Sequence, residues 1–125
     1  MKLAVSAREK GLGAEVDQRF GRCPYFVMVD SDSEEEIETI VNYNADSAGG
    51  AGPQSAQLLS KHKVDAVATG NVGPNAVNAL KAAKIKIYTG ADGTVESTLK
   101  RFKEGQLSQV TEATAGPHSG LRGQH

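Results

Sequence analysis

The stretch Val64-Asp-Ala-Val-Ala-Thr-Gly-Asn-Val-Gly-Pro74 passes from a strand pattern to the start of a helix. Residues 64–69 are mostly apolar and rich in valine, as in a buried strand. Residues 70–73 hold two glycines, which favour a turn. Pro74 suits the first turn of a helix over residues 74–83, because its ring fixes φ and the N–H that it lacks has no partner there. Strand, turn and helix in this order predict one unit of an α/β sheet.

Two further segments repeat parts of this arrangement. Upstream, a glycine-rich loop over residues 44–53 precedes a predicted helix over residues 54–62, with Pro53 in its first turn. Downstream, residues 85–88 predict a strand, and residues 94–103 predict a helix with apolar side chains one turn apart. The pattern favours parallel strands that are joined by helices.

The N-terminal part of the chain predicts antiparallel pairing. Residues 3–5 form a short apolar run, and residues 25–29 and 37–43 are rich in strand formers on either side of an acidic turn. The charged segment 8–15 contains two glycines and predicts a mobile loop. We therefore expect an α/β fold with a mixed sheet of five strands and helices on both faces.

The domain organisation follows from the same patterns. A chain of 125 residues is long enough for one domain with its own core. Because the periodicity ends near residue 107, we expect a single domain over residues 1–107. Residues 108–125 have the composition of a flexible tail that contains glycine and histidine.

The composition argues against several classes of protein. With 14 basic and 15 acidic side chains and a formal net charge of -1, the chain lacks the electrostatic field of a nucleic-acid binder. One cysteine excludes an internal disulfide, and the N-terminal apolar run is too short for a signal peptide or a membrane span. We therefore expect a cytoplasmic protein that binds neither nucleic acid nor membrane.

Signatures of catalysis are missing from the sequence. It has no phosphate-binding glycine motif and no nucleophile elbow, and its first strand carries no acid that would hold a catalytic metal. We therefore expect that the protein is not an enzyme. A small-molecule enzyme with a pocket over the helix starts is an alternative that no residue requires.

The two glycine-rich helix starts are candidate anion sites. A helix N-terminus offers unpaired N–H groups and the positive end of the helix dipole, and glycine lets an anion come close to the backbone. The alternative is that glycine and proline only form tight turns here. Because loops that follow parallel strands gather at one edge of a sheet, both helix starts could face one pocket.

Cys23, the single cysteine, has two interpretations. As a structural residue it fills space at the start of a strand. As a functional residue it becomes more acidic next to Arg19 and Arg22, and its thiolate holds a soft metal. One thiol cannot close a metal site, so the metal would need further ligands or would arrive as a preformed cluster with its own sulfides. Such a cluster suits loops that bind anions.

Several segments of the chain, taken in order, resemble one known family. They are the first strand, Arg19-Phe-Gly-Arg22 with Pro24-Tyr-Phe26, Asn44 with the glycine-rich loop, Val64–Gly73, and Gly105-Gln-Leu107. As an ordered set they resemble the dinitrogenase iron-molybdenum cofactor biosynthesis family. That family includes the NifX-type carriers, the C-terminal domain of NifB proteins and the small orange protein. The resemblance covers residue 1 to about residue 107.

The resemblance implies a ribonuclease H-like, three-layer α/β/α fold with a five-stranded mixed sheet. It also implies binding or carriage of an anionic metal-sulfur cluster of the molybdenum, iron or copper sulfide type, in cofactor biosynthesis or metal handling. N–H donors and an arginine stabilise such an anion through charge-assisted hydrogen bonds, and Arg22 is the first choice for this role. The candidate cofactor-binding residues are Arg19, Arg22, Cys23, Asn44, Gly49, Gly50, Gly52, Gly70, Asn71 and Gly73.

Candidate ligands for a metal are Cys23, His118 and His125. The two histidines resemble the histidine-containing tails of some family members, and the alternative is that they are solvated. His62 is expected to interact with a helix dipole instead. A function of a different class also stays open. It is a metal-free protein-interaction module that serves a ParA/MinD-like ATPase, and a cofactor-assembly protein is a further candidate partner.

Overall fold

The computed structural model of the chain describes residues 1–47 and 49–110. The elements are, in chain order, β1 (Lys2–Ala7), β2 (Tyr25–Asp30), β3 (Glu36–Val41), α1 (Ala51–Lys61), β4 (Ala66–Thr69), α2 (Pro74–Ala82), β5 (Lys86–Thr89), α3 (Val95–Lys103) and β6 (Ser108–Val110). The strands form one sheet in the order β3-β2-β1-β4-β5-β6. Among the helices of the described residues, none has the length and apolarity that crossing a membrane requires.

Both kinds of strand pairing that the sequence predicts are present. The β2–β3 hairpin is antiparallel, and β2 also pairs antiparallel with β1. Strands β1, β4 and β5 are parallel neighbours and are joined through helices. The mixed α/β sheet is therefore confirmed, and so are the three predicted helices, whose observed ends lie within a few residues of the expected ones.

The predicted number of strands was wrong, because the sheet has six strands and not five. The sixth strand, β6, pairs antiparallel with β5 and places Gln109 opposite Tyr88. Its three residues, Ser-Gln-Val, are too few to show an alternating pattern. This strand lies beyond residue 107, so the sheet extends into the segment that was assigned to the tail. The ribonuclease H-like label stays a prediction.

Two apolar layers lie on opposite faces of the sheet. On one face, α1 and α2 cover a core that contains Phe26, Leu59 and Leu80. On the other face, α3 covers a core that contains Val5 and Leu99. Alternate residues of each strand contribute to the two layers, as the two-residue period of a strand requires.

The segment expected to be a mobile loop, residues 8–15, is packed against the second core. Ala14 and the neighbouring Val16 are buried there. Short bridges join Ala7 to Val16 and Glu15 to Thr94. The prediction of a mobile loop was therefore wrong. Most residues of the segment are charged or glycine, and this composition gave no sign that a few apolar side chains are buried.

Each of the three helices ends in the same hydrogen-bonded turn, the Schellman motif. At the end of α1, the Lys63 N–H donates to Ser60 O and the Val64 N–H donates to Leu59 O. At the end of α2, Lys84 and Ile85 form the corresponding pair of bonds. The motif needs a left-handed residue, which is Gly105 after α3 but Lys63 (φ 59°) and Lys84 (φ 61°) after the other two helices.

Candidate functional site

A cleft of about 240 Å³ lies where α1 and α2 begin, at the edge of the sheet where β4 ends. Its lining residues are Phe20, Arg22, Gly50, Ala51, Gly52, Pro53, Gly73, Pro74, Asn75 and Ala76. The cleft therefore brings together both glycine-rich helix starts and the segment around Arg22. Loops that follow strands in a parallel sheet meet at such an edge, and this edge is a common position for ligands.

Small residues allow the three backbone segments of the cleft to approach closely. A Cβ atom on Gly21 would lie 3.0 Å from the Cα of Gly52, and Gly21 also has a φ of 93°. Gly52 in turn faces Ala76 at the start of α2. A larger residue at position 21 or 52 would force the segments apart, so these glycines shape the cleft.

The electrostatic character of the cleft comes from the two helix N-termini. Gly50 and Gly73 occupy the N-cap positions, and glycine has no side chain to accept the first N–H groups of a helix. Within the described part of the chain, neither α1 nor α2 has an acidic residue in its first turn. Uncapped N–H groups and two positive dipole ends favour an anion at this point.

Arg22 adds a cation to the same cleft. Its Nη1 atom donates to the backbone carbonyl oxygens of Ala45, at 3.1 Å, and Ser47, at 2.6 Å. These bonds attach the 45–47 loop to the segment that precedes β2. Arg22 therefore holds the 45–47 loop in one arrangement beside the helix starts.

Asn42 is a buried residue that the sequence reasoning missed. Its Nδ2 atom donates to the carbonyl oxygens of Gly21, at 3.1 Å, and Cys23, at 2.8 Å. Its Oδ1 atom accepts from the Ser55 hydroxyl and the Asn44 N–H, both at 3.2 Å. One side chain thus ties together the Arg22 segment, the loop after β3 and helix α1. A polar residue at the end of a predicted strand gave no signal of this role.

Cys23 lies in the core, where its side chain is 0% exposed. The expectation that neighbouring arginines make this thiol more acidic was wrong. Burial raises the pKa of Cys23 from 9.0 to about 12, since a thiolate is poorly solvated in an apolar environment. The thiol therefore stays protonated at neutral pH, which favours the structural interpretation over the role of a metal ligand.

Arg19 is paired within its own loop. Its Nε and Nη2 atoms each donate to a carboxylate oxygen of buried Asp17 at 3.1 Å. Although burial of the carboxyl group acts in the opposite direction, the hydrogen bonds from Arg19 hold the pKa of Asp17 below its ordinary value. The backbone of this loop also bonds to Asn71, through the Phe20 N–H. Arg19 thus stabilises the loop.

Gly70 has a packing role next to the same loop. A Cβ atom at position 70 would lie 2.8 Å from the Cα of Gln18, so only glycine fits. The Asn71 N–H donates to the Gln18 carbonyl at 2.6 Å, while the Asn71 side chain is exposed. This close contact places the strand–turn–helix stretch beside the Arg22 segment.

The sequence-predicted site residues therefore fall into two groups within the described ranges. Those that line the cleft are Arg22, Gly50, Gly52 and Gly73. Those that lie outside its lining are Arg19, Cys23, Asn44, Gly49, Gly70 and Asn71. The other two candidates, His118 and His125, lie outside the described residues.

The chemistry of the cleft suits an anion better than a bare metal ion. In residues 1–47 and 49–110, no three side chains of histidine, cysteine, aspartate or glutamate are grouped so that they could hold a metal ion. The groups at the cleft are N–H donors and a guanidinium. They can bind a preformed anion through its outer atoms, and they supply no thiolate or imidazole to a metal.

Comparison with known proteins agrees with this arrangement. The family model described as dinitrogenase iron-molybdenum cofactor matches residues 1–105. The apo form of the orange protein from Desulfovibrio gigas is 37% identical with a TM-score of 0.86, over 91% of this chain and 96% of that chain. A candidate NifB protein from Thermotoga is 35% identical with a TM-score of 0.79, over 93% of this chain and 98% of that chain.

An uncharacterised protein is also similar to this chain in sequence. This protein from Methanocaldococcus jannaschii is 32% identical over 92 residues, which are 72% of this chain and 78% of the relative. The family model covers the sheet as far as β5, all three helices and every lining residue of the cleft. The chain belongs to the dinitrogenase iron-molybdenum cofactor family.

Proposed function

We propose that the protein binds an anionic metal-sulfur cluster as cargo in the cleft between α1 and α2. In this proposal it serves iron-molybdenum cofactor biosynthesis or metal handling in the cytoplasm as a carrier, without turnover of a substrate. The observation that carries the proposal is the convergence of two uncapped helix N-termini and Arg22 on one cleft. Family membership supports the class of cargo.

The chemistry of the donor set agrees with this cargo. A sulfide-rich cluster is negative at its surface and brings its own metal ligands, so the protein needs to supply only hydrogen-bond donors and positive charge. The cleft supplies both. Because Cys23 is buried and protonated, a bond from its sulfur to the cluster is not part of the proposal. His118 and His125 remain candidate ligands for copper or a similar metal at the tail.

The proposal covers clusters of three metals. Molybdenum, iron and copper sulfides share the negative sulfide surface that the cleft fits, and the cleft residues do not choose among them. The matched family and the similar structures give no support to a ParA/MinD-like ATPase as a partner, so we do not carry that alternative forward.

The test is the metal and acid-labile sulfide content of protein that is purified anaerobically from its natural host. We expect colour, with molybdenum, iron or copper and sulfide in a fixed ratio. In Arg22→Ala we expect about a tenfold weaker retention of metal, the size of one lost charge-assisted hydrogen bond. Arg22→Lys, which keeps the charge, should lose less.

Arg8→Ala is the matched control, because Arg8 is an exposed arginine whose guanidinium lies 3.6 Å from Glu15 and outside the cleft. It should retain metal as the wild-type protein does. A wild-type protein without metal and sulfide would refute the carrier function. Full retention by folded Arg22→Ala would remove Arg22 from the site.

A further inference from the structure

A second depression, of about 270 Å³, lies at the opposite end of α2 from the cleft. Its lining residues are Lys81, Lys84, Ile85, Lys86, Ile87, Gln109 and Val110. We call it the lysine groove. Three of its lining residues are basic, and none of those in the described part of the chain is acidic. This is a concentration of positive charge in a chain whose net charge is -1. Its apolar lining residues are Ile85, Ile87 and Val110.

Lys84 lies in the turn that ends α2 and lines the groove. Lys84 has a φ of 61°, in the left-handed region that glycine occupies at lower cost. After α3 the corresponding position is indeed Gly105. A lysine occupies the same position after α1, where Lys63 has a φ of 59°, and both charges lie at the negative end of a helix dipole. Only Lys84 lines the groove, so its side chain adds a charge there.

The groove also borders an open edge of the sheet. Strand β6 is the last strand in the order, and within the described residues it pairs with β5 alone. As far as residues 1–47 and 49–110 show, the outer side of β6 presents backbone N–H and C=O groups to which an extended peptide can add as a further strand. Gln109 and Val110 belong both to this strand and to the groove.

We propose that the lysine groove binds an extended acidic segment of a partner protein. Carboxylates would meet Lys81 and Lys84, apolar side chains would contact Ile85 and Val110, and the backbone would pair with β6. Charge complementarity and the open strand edge both favour a peptide of this kind. The proposal does not depend on cargo in the cleft, which lies at the other end of α2.

Two other occupants fit the charges less well. Residues 111–125 follow Val110 directly but contain one acid, Glu112, and one base, Arg122. In the acidic turn of a second copy, Glu34 already bonds to Lys103 at 3.1 Å, and Asp30 accepts the N–H groups of Asp32 and Ser33. Both are therefore outcomes of the test and not the occupant that we choose.

The test uses the full chain and a synthetic peptide that alternates glutamate and valine. Binding is measured by fluorescence anisotropy at low ionic strength, and backbone amide shifts locate it. We expect shifts at residues 84–87 and 108–110, and weaker binding as salt is added. Lys84→Gly should weaken binding about threefold, the effect of one exposed charge pair.

Lys63→Gly is the matched control. Lys63 occupies the same left-handed position after α1, with the same charge, but lies outside the groove lining. Its replacement should leave peptide binding almost unchanged. Since glycine suits both turns, neither variant is expected to lose the fold.

Four results would overturn the proposal. The first is an equal effect of Lys84→Gly and Lys63→Gly on peptide binding, and the second is equally tight binding of duplex DNA or of a lysine–valine peptide. The third is competition by residues 111–125 of the same chain, which would appear as much tighter peptide binding in Glu112→Gln. The fourth is a dimer in solution whose subunits contact each other through β6.

Discussion

Gly52 in α1 lies directly against Ala76 in α2, so that a Cβ atom at position 52 would come 2.8 Å from the Ala76 Cβ. Real Cβ atoms essentially never approach so closely, and Ala76 is itself buried. The absence of one methyl group therefore sets the distance between two helix N-termini. This relationship determines the width of the cleft.

Gly52→Ala should force the two helix starts apart. Although alanine favours helix more than glycine does, we expect a net loss of about 1–3 kcal/mol in the free energy of unfolding, the usual cost of overpacking. Metal retention should fall as well, because the N–H groups no longer converge. Urea unfolding and metal analysis measure the two effects. Gly49→Ala is the control, since a Cβ atom there meets nothing within 4 Å; equal stability of the two variants would contradict the prediction.

Cys23 should behave as an inert, buried thiol. In the native protein, alkylation at neutral pH should proceed only through unfolding and should become fast in urea. Because the folded-state pKa of about 12 exceeds the ordinary 9.0, the contribution of the thiol to stability is present below pH 9 and is lost as the pH rises towards 12. Comparison with Cys23→Ala over that range isolates the contribution. Rapid alkylation of the folded protein, or loss of metal in a folded Cys23→Ala, would show a reactive ligand instead.

Asn42→Ala should lower the stability of the protein, because Asn42 is a buried residue that joins the segments around the cleft. The change leaves the buried carbonyl groups of Gly21 and Cys23 without the bonds that Asn42 donates, and we expect a loss of about 2–3 kcal/mol in the free energy of unfolding. Asn71→Ala, at an exposed side chain, should cost less than about 0.5 kcal/mol. Thermal and urea unfolding of the two variants provide the comparison, and similar values for both would refute the role of Asn42.

The Asp17–Arg19 pair should make stability depend on pH. Since Arg19 holds the pKa of Asp17 below 3.8, the contribution of Asp17 to stability is present above pH 3.8 and is lost as the pH falls through the lower, folded-state value. Arg19→Ala removes the side-chain hydrogen bonds and the positive charge but keeps the backbone N–H that donates to Asp17. The pKa of Asp17 therefore rises relative to the wild-type protein, and the variant loses most stability near neutral pH, where the buried carboxylate is charged without the guanidinium. The difference in stability between wild type and Arg19→Ala should therefore shrink in acid.

Urea unfolding over a range of pH measures this difference. Asp17→Asn provides the control, because it removes the titrating group and should make the effect of Arg19→Ala independent of pH. A difference between wild type and Arg19→Ala that stays constant from neutral pH to below 3.8 would show that the pair is not linked to stability.

Local patterns predicted the parts of the fold that depend on neighbouring residues. The stretch from Val64 to Pro74 predicted β4, the turn and the start of α2, and the two apolar runs around the acidic turn predicted the β2–β3 hairpin. Strand β6 was missed because it exists through pairing with β5, and three residues carry no period of their own. A strand of that length can be recognised only from its neighbour.

The site was predictable in its glycines and not in its buried polar contacts. Proline and glycine before each helix indicated where Gly50, Gly52 and Gly73 would lie, since those residue types report backbone geometry directly. The role of Asn42 depends on residues 13 to 21 positions away in sequence, and no local pattern encodes such contacts. The predicted direction of the Cys23 pKa shift was wrong for the same reason. A cysteine that lies close to arginines in sequence can still be buried, and burial raises its pKa.

Helix α2 runs from the cleft to the lysine groove. It begins at the cleft with Pro74 and Ala76 and ends at the lysine groove with Lys81. Nine residues of helix span about 13 Å. If both proposals hold, a partner held at the groove would leave the mouth of the cleft uncovered. A complex with an acceptor could then form while the cleft is occupied, and the cluster would pass on before the two proteins separate.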